Sequence, residues 1–136
     1  MKNIIYLLIA TVIFASCEET ESPVFTGDQT LVYFEESSVG LDVVIDETGS
    51  VDVPVTITTL QDEDVTVDVE LVGDDTTAAE ENYDFEDTAT IPAGEYTGSF
   101  TVNGVDNSVE TTPELITFRI TDADGIVFEE TLVEVS

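Results

Sequence analysis

Short runs in which apolar and polar residues alternate constrain the fold of this chain more than any other feature. Between Val51 and Thr58, valine or isoleucine occupies every second position, with Asp, Pro and Thr between them. Successive side chains of a β-strand point to opposite faces of a sheet, so this period of two predicts a strand with one buried and one exposed face. The same pattern recurs at residues 65–71, 100–102 and 116–121.

Polar turn sequences separate these runs and set the predicted fold class. They lie at residues 47–50, 61–64, 73–75, 92–94 and 122–125, and each contains Gly, Pro or Asp. With further apolar runs at 31–34, 41–45 and 126–135, the chain contains about seven predicted strands and no predicted helix. This pattern predicts an all-β fold, an antiparallel β-sandwich, in one domain over residues 30–136.

The N-terminal segment has the layout of an export signal that ends at a lipid-modified cysteine. Lys2 gives a positive start, an apolar run extends from Ile4 to Ala15, and Ser16 precedes Cys17, the one cysteine of the chain. This segment resembles the lipobox of bacterial lipoproteins, which implies a signal peptide at residues 1–16 and a diacylglyceryl thioether on Cys17. A membrane-spanning helix needs about 20 apolar residues, more than this run contains. A disulfide is excluded because no second cysteine exists.

Residues 17–29 are predicted to form an acidic tether between the acylated cysteine and the domain. They mix Glu, Asp, Ser, Pro and Gly without periodicity, which is typical of a linker. The acids directly after Cys17 resemble the export signal of Bacteroidetes surface lipoproteins, although a solvated linker has the same composition. We expect attachment to the bacterial outer membrane through the lipid on Cys17, with the domain exposed at the cell surface.

The charge of the chain excludes one class of partner. The sequence holds 31 Asp and Glu against two Lys and Arg, for a formal net charge of −29. Phosphate binding needs a basic surface, so nucleic acid is excluded as a partner. With 42% hydrophobic residues and clear strand periodicity, the chain is predicted to fold rather than to remain disordered. The carboxylates then either decorate the exterior or bind divalent cations.

The residue inventory also excludes most catalytic chemistry. The chain has no His, its cysteine is assigned to lipid, and Lys2 is removed with the signal, so triads, Schiff bases and zinc–histidine sites cannot form. Paired carboxylates can hydrolyse glycosides, but such sites need a cleft with aromatic walls. There is no Trp, and most Phe and Tyr residues are predicted to pack in the core. We therefore expect no enzymatic activity.

Seven short pieces, in order along the chain, resemble one known domain family. They are Val32-Tyr33-Phe34-Glu35, Asp46-Glu47-Thr48-Gly49, Asp74-Asp75-Thr76-Thr77-Ala78, Asn82-Tyr83-Asp84-Phe85, Pro92-Ala93-Gly94-Glu95, Phe100-Thr101-Val102 followed by Asp106, and Glu114-Leu115-Ile116-Thr117-Phe118. Residues 30 to about 121 thereby resemble the Calx-beta domain of sodium–calcium exchangers, integrin cytoplasmic tails and many bacterial surface proteins. This resemblance implies an immunoglobulin-like β-sandwich.

The resemblance also implies a calcium site at one end of the sandwich. In calcium-binding members, carboxylates from clustered loops hold the ions, and the matching positions here are Asp46, Asp75 and Asp106. Glu110, displaced by one position from the family pattern, and Glu114 are the further candidate ligands. The chain departs from the family pattern at Asn107, Ser108 and Thr111, where acidic residues are usual. Calcium takes about six to eight oxygen ligands, so the predicted site binds weakly or not at all. Without a cation, the three aspartates are expected to repel one another.

Two hypotheses of function remain open from the sequence. The first is a calcium-stabilised adhesion or interaction module whose partner is a protein or a glycan. The second is a metal-free accessory lipoprotein of an outer-membrane assembly that takes up glycans or other nutrients. A carboxylate-pair hydrolase is the enzymatic alternative.

Overall fold

The computed structural model describes residues 29–107 and 112–136. The predicted signal peptide, Cys17, nearly all of the predicted tether and Glu110 therefore lie outside the described residues. The described part contains ten strands and one short 3-10 turn at Glu80–Asn82. The strands are β1 (Leu31–Tyr33), β2 (Ser38–Val39), β3 (Thr48–Ile57), β4 (Val65–Leu71), β5 (Tyr83–Phe85), β6 (Thr88–Ile91), β7 (Thr97–Val105), β8 (Ile116–Asp122), β9 (Val127–Phe128) and β10 (Leu132–Val135). Within these ranges no helix has the length and hydrophobicity needed to cross a bilayer.

The long strands form where the sequence alternates between apolar and polar residues. In β4, Val65, Val67 and Val69 are buried, and the intervening polar residues are exposed. In the C-terminal half of β3, Val53, Val55 and Ile57 are likewise buried. Burial of each such side chain contributes roughly 1.5–3 kcal/mol, which fixes the face that each strand turns to the core.

The strands join into one mixed sheet in the order β2-β10-β8-β4-β6-β7-β3-β1-β9, with β5 beside β7. The predicted all-β class is confirmed, but the predicted count of about seven strands and the purely antiparallel pairing are wrong. The pairs β1–β9 and β2–β10 are parallel. Strands β2 and β5 are only two and three residues long, too short for periodicity to reveal them, and the run at 126–135 contains two strands, β9 and β10. The predicted strand at 41–45 is a loop.

The sheet curls so that its two halves face each other. Strands β7 and β8 are three positions apart in the strand order, a separation of about 14 Å in a flat sheet. Nevertheless the rings of Phe100 on β7 and Phe118 on β8 lie 5.2 Å apart, centroid to centroid. Phe34 and Phe85 pack against the same pair. Phe34, Phe100 and Phe118 are buried in the core between the facing halves, and Phe85 is partly buried against it.

The turn of the sheet occurs at β6 and β7, where a glycine permits close contact. The two strands share a single registered pair, Thr90 with Ser99. A Cβ atom at the neighbouring Gly98 would overlap the carbonyl oxygen of Thr90. Only glycine therefore allows the β6 backbone to lie against β7 at this point.

The molecule has two ends, which are named here by their residues. At the entry end, Gln29 accepts a 3.3 Å hydrogen bond from the Thr58 hydroxyl, directly after β3. At the far end lie the loops 40–47 and 72–82, the described residues on either side of 108–111, and Ser136. The ten residues of β3 connect the two ends and extend about 30 Å.

Candidate functional site

A groove of about 430 Å³ opens at the far end. Its walls include aliphatic side chains from loop 41–43 and from the ends of three strands, namely Leu41, Val43, Val105, Ile116 and Val135. Its polar side chains are Asp42, Asn82, Asp106, Thr112, Glu114 and Ser136. The groove thus combines an apolar surface with three carboxylates, and none of its lining residues is aromatic.

Two paired glycines position the loop that forms one side of the groove. Gly49 on β3 and Gly104 on β7 face each other in the sheet. A Cβ atom at Gly49 would overlap the Asp42 carbonyl oxygen, and one at Gly104 would overlap the side chain of Val43. The loop therefore lies directly on a surface without side chains. The Leu41 N–H holds it there by donating a 2.7 Å hydrogen bond to the Ser136 carbonyl oxygen.

The loop presents aliphatic side chains to solvent beside the groove. Val43, Val44 and Ile45 are 38%, 62% and 68% exposed. The segment has strand-like composition but ends in a tight turn, in which the Glu47 N–H donates to the Val44 carbonyl oxygen. We call residues 41–45 the aliphatic loop. Its exposure is notable because a folded protein normally buries such a run.

Asp46 and Asp106 lie together at the base of this loop. Asp46 adopts a left-handed backbone conformation with φ of 61°. Its N–H donates a 2.8 Å hydrogen bond to Oδ2 of Asp106. The Asp106 N–H in turn donates to the Glu47 carbonyl oxygen at 3.3 Å. The Asp106 carboxylate thus holds the turn, which is a structural role that the predicted repulsion between the two acids did not anticipate.

Glu114 and Asn82 form a second polar contact within the groove. Asn82 Nδ2 donates a 3.1 Å hydrogen bond to Oε2 of Glu114. The Asn82 Oδ1 atom is buried and has no hydrogen-bond partner, and an unsatisfied buried acceptor costs roughly 1–3 kcal/mol. The sequence analysis did not select Asn82 as a site residue. The available signal was that asparagine stands where the Calx-beta pattern has aspartate.

Of the remaining predicted calcium ligands, the structure describes the position of Asp75. Asp75 lies in the turn after β4, where its carbonyl oxygen accepts a 3.1 Å hydrogen bond from the Thr117 hydroxyl. It does not line the groove. Glu110 lies outside the described residues. Over 29–107 and 112–136, no three His, Cys, Asp or Glu side chains are close enough together to hold a metal ion.

The one arginine of the chain forms an ion pair outside the groove. Arg119 on β8 donates from Nε and Nη2 to Oε2 of Glu70, at 3.1 and 2.7 Å. This hydrogen bond and the attraction of the Glu70 carboxylate raise the pKa of Arg119. The side chains of both partners are about half exposed, so the pair adds little stability. The groove carboxylates have no positive side chain among their lining residues.

No protein-family model and no curated protein sequence matches this chain. Solved structures do resemble it. The CBD1 domain of Calx in its apo form has a TM-score of 0.59 and 20% identity, over 79% of this chain and 94% of that domain. A protein of unknown function from Bacteroides ovatus has a TM-score of 0.60 and 13% identity, over 79% of this chain. A candidate carbohydrate-binding protein from Bacteroides ovatus ATCC 8483 has a TM-score of 0.61 and 11% identity, over 76% of this chain.

These similarities concern the fold. The chain has the same architecture as the Calx domain, which agrees with the Calx-beta resemblance in the sequence. It spans 51% of the first Bacteroides ovatus protein and 35% of the second.

Proposed function

We propose that this chain is an extracytoplasmic binding module, anchored to the bacterial outer membrane through Cys17, that binds its partner with the far end and catalyses no reaction. The observation that carries the proposal is the far-end groove with the exposed aliphatic loop beside it. A groove with apolar walls and a few polar groups is the usual form of a ligand site. Loops held on a rigid sheet are a common place for binding residues.

The positions of Gln29 and of the groove, at opposite ends of β3, support this proposal. Gln29 lies at the entry end, so the tether predicted for residues 17–29 joins the domain there. The groove lies at the other end of β3, about 30 Å away. A lipid on Cys17 would hold the entry end near the membrane, and the far end would face the medium.

The chemistry of the groove supports binding rather than catalysis. Its titratable side chains are Asp42, Asp106 and Glu114. Glu114 is hydrogen bonded to Asn82, and Asp106 is hydrogen bonded to the backbone of Asp46. A glycosidase needs two carboxylates facing a sugar that other side chains hold in place. The described groove has no aromatic wall for that purpose.

Calcium binding is the finer part of the proposal, and the described residues fit it incompletely. Asp106, Glu114 and the unpartnered Asn82 Oδ1 offer oxygens that a calcium ion accepts. They supply part of the six to eight ligands that calcium takes, roughly. We propose that any calcium bound here binds weakly, in the range of about 10⁻⁴–10⁻³ M typical of extracellular modules.

Thermal unfolding tests the calcium proposal. The Cys17→Ser protein is unfolded in EDTA, in millimolar calcium, and in magnesium at the same ionic strength. A ligand that binds only the folded state raises the midpoint, so we expect calcium to raise it more than magnesium does. Asp106→Asn, which keeps the hydrogen-bond acceptor for Asp46, should remove the difference. Equal midpoints in calcium and magnesium would mean that the ions only screen charge.

Fractionation of cells tests the anchor. The native chain should sediment with the membranes, and Cys17→Ser should appear in the soluble fraction because it lacks the acceptor for lipid. Retention of Cys17→Ser in the membranes would contradict the anchor. External protease added to intact cells should degrade the native chain if it faces the medium, whereas an internal control protein survives.

A second candidate function is that of an accessory lipoprotein that handles glycans. It is favoured by the structural similarity to the candidate carbohydrate-binding protein from Bacteroides ovatus. Among the described residues, the exposed aromatic side chain is Tyr96, which is 52% exposed at the entry end. Isothermal titration with oligosaccharides would test this candidate. Oligosaccharide binding that is lost in Tyr96→Ala and kept in Ile45→Ser would support a sugar site at Tyr96 rather than in the groove.

A further inference from the structure

The far end is suited to one class of partner. Resting on the proposed binding function, we propose that the groove and the aliphatic loop bind a protein segment in which lysine or arginine residues alternate with aliphatic residues. The aliphatic residues would pack on the loop and the groove walls. The cationic residues would pair with the carboxylates at the rim.

The aliphatic loop supplies the apolar half of this surface. Val44 and Ile45 are both more than 60% exposed, and they directly follow Val43, which lines the groove together with Leu41. The glycine surface beneath keeps the loop in place, so little ordering is needed when a partner binds. A preformed aliphatic surface of this kind is where contact energy concentrates in protein interfaces.

The carboxylates supply the charged half. Asp42, Asp106 and Glu114 line the groove, and Asp46 and Glu47 follow the loop directly. The arginine is held by Glu70 on another part of the sheet. Buried Asn82 Oδ1 adds an acceptor without a donor. None of the described lining residues carries a positive charge, and a basic segment would supply it.

Charge disfavours three other occupants of the groove, and the nature of the lining residues disfavours a fourth. The predicted tether carries Glu18, Glu19, Glu21 and Asp28 and no basic residue. A second copy of the chain has the same formal charge of −29. An anionic membrane surface would be repelled by the acids that surround the loop. A sugar would find no aromatic side chain among the lining residues.

Fluorescence anisotropy with synthetic peptides tests the proposal. The probe is a labelled eight-residue peptide of alternating lysine and leucine, titrated with the Cys17→Ser protein. Two comparison peptides carry serine in place of leucine, or glutamate in place of lysine. We expect the lysine–leucine peptide to bind about tenfold more tightly than the lysine–serine peptide, since burial of aliphatic groups adds to charge attraction. The glutamate peptide should not bind.

Matched variants separate the groove from the overall charge. Val44→Ser combined with Ile45→Ser should weaken binding of the lysine–leucine peptide about tenfold, because the aliphatic contacts are lost. Asp42→Asn combined with Glu114→Gln should weaken it by a similar factor. The control is Asp62→Asn combined with Glu63→Gln, which removes the same charge from exposed positions at the entry end. It should change affinity less than twofold.

The proposal is overturned if the groove variants and the entry-end control weaken binding equally, because the peptide would then respond only to net charge. It is also overturned if the lysine–serine peptide binds as tightly as the lysine–leucine peptide. Neither result bears on the membrane anchor, which Cys17→Ser fractionation tests separately. The loop and control variants should first show the unfolding midpoint of the parent protein, since their substituted side chains are exposed. The groove variant should still unfold in one cooperative transition, because Glu114→Gln keeps an acceptor oxygen for Asn82.

Discussion

Asp106 has two opposing effects on stability, one from its charge and one from its hydrogen bond. As a charge beside Asp46 and Glu47 it raises electrostatic repulsion, and as an acceptor it satisfies the Asp46 N–H at 2.8 Å. The sequence shows only the first role, because residues 46 and 106 are 60 positions apart. Hydrogen bonds to charged acceptors contribute roughly 1.5–3 kcal/mol, and less when exposed. The hydrogen bond should therefore outweigh the screened repulsion.

We expect Asp106→Ala to lower the free energy of unfolding by about 1–2 kcal/mol in the absence of calcium, since the Asp46 N–H loses its partner. Asp106→Asn retains an acceptor oxygen and should cost less than half as much. Urea unfolding in EDTA measures both. An increase in stability on Asp106→Ala would show that repulsion dominates at the far end.

Tyr83 gives the molecule a predictable response to alkaline pH. Burial of its phenol, and secondly the Glu80 carboxylate, raise the pKa of Tyr83 above the ordinary 10.0. The unfolded chain then loses this proton at lower pH than the folded chain. The contribution of Tyr83 to the free energy of unfolding is therefore complete below about pH 10, and it is lost as the pH rises through the folded-state pKa of Tyr83.

Urea unfolding between about pH 9 and pH 11.5 should show this loss of stability. Tyr83→Phe should reduce the slope because the ionisable group is gone. Tyr96→Phe, at a tyrosine that is 52% exposed, serves as the control and should keep the slope of the parent. Identical slopes for all three proteins would contradict the assignment to Tyr83.

At the scale of elements, the contact between β6 and β7 determines the shape of the sheet. One registered pair, Thr90 with Ser99, joins the half that contains β4 and β8 to the half that contains β3. Gly98 permits this approach, since a Cβ there would overlap the Thr90 carbonyl oxygen. The curl that brings Phe100 and Phe118 together thus depends on a glycine outside the core.

Gly98→Ala should lower the free energy of unfolding by about 2–3 kcal/mol, because backbone must move to relieve the overlap. Gly73→Ala is the matched control. An added Cβ at Gly73 meets nothing within 4 Å, and the change should stay within about 0.5 kcal/mol. Equal urea midpoints for the two variants would show that β6 and β7 can move apart at this point without loss of stability.

The sequence predicted long elements well and short elements poorly. Strands β3, β4 and β8 run for seven to ten residues, so their alternation specifies both the strand and its buried face. The parallel pairs made by β2 and β9 were not predictable, because two residues carry no periodicity. The aliphatic run at 41–45 was wrongly predicted as a strand, since the surface on which it lies includes Gly104, which is distant in sequence.

The candidate site was predictable only in part for the same reason. The family pattern pointed to the far-end loops, and Asp46, Asp106 and Glu114 lie there. Whether acids from different loops meet depends on loop conformation, which separates Asp75 from the groove. The orphaned oxygen of Asn82 depends on burial, which a single sequence does not report.

At the scale of the whole molecule, the net charge governs stability. A formal charge of −29 on 136 residues makes the compact state repel itself, and counter-ions weaken that repulsion. The Debye length falls from about 30 Å at 0.01 M to about 3 Å at 1 M ionic strength. The fold is therefore suited to a medium rich in salt.

Raising sodium chloride from about 0.01 M to about 1 M should raise the thermal midpoint by several degrees, through screening alone. Potassium chloride should give the same curve, because screening depends on ionic strength. A midpoint that stays constant or falls would show that the carboxylates are spaced too widely for repulsion to matter.

The opposite placement of Gln29 and the groove has a mechanical consequence. If the chain is held by its N-terminal side and a partner pulls at the far end, tension runs nearly parallel to β3 and β7. The nine registered pairs between these strands have hydrogen bonds perpendicular to the strand direction. Such a load acts on them in shear, so they resist together rather than opening one after another.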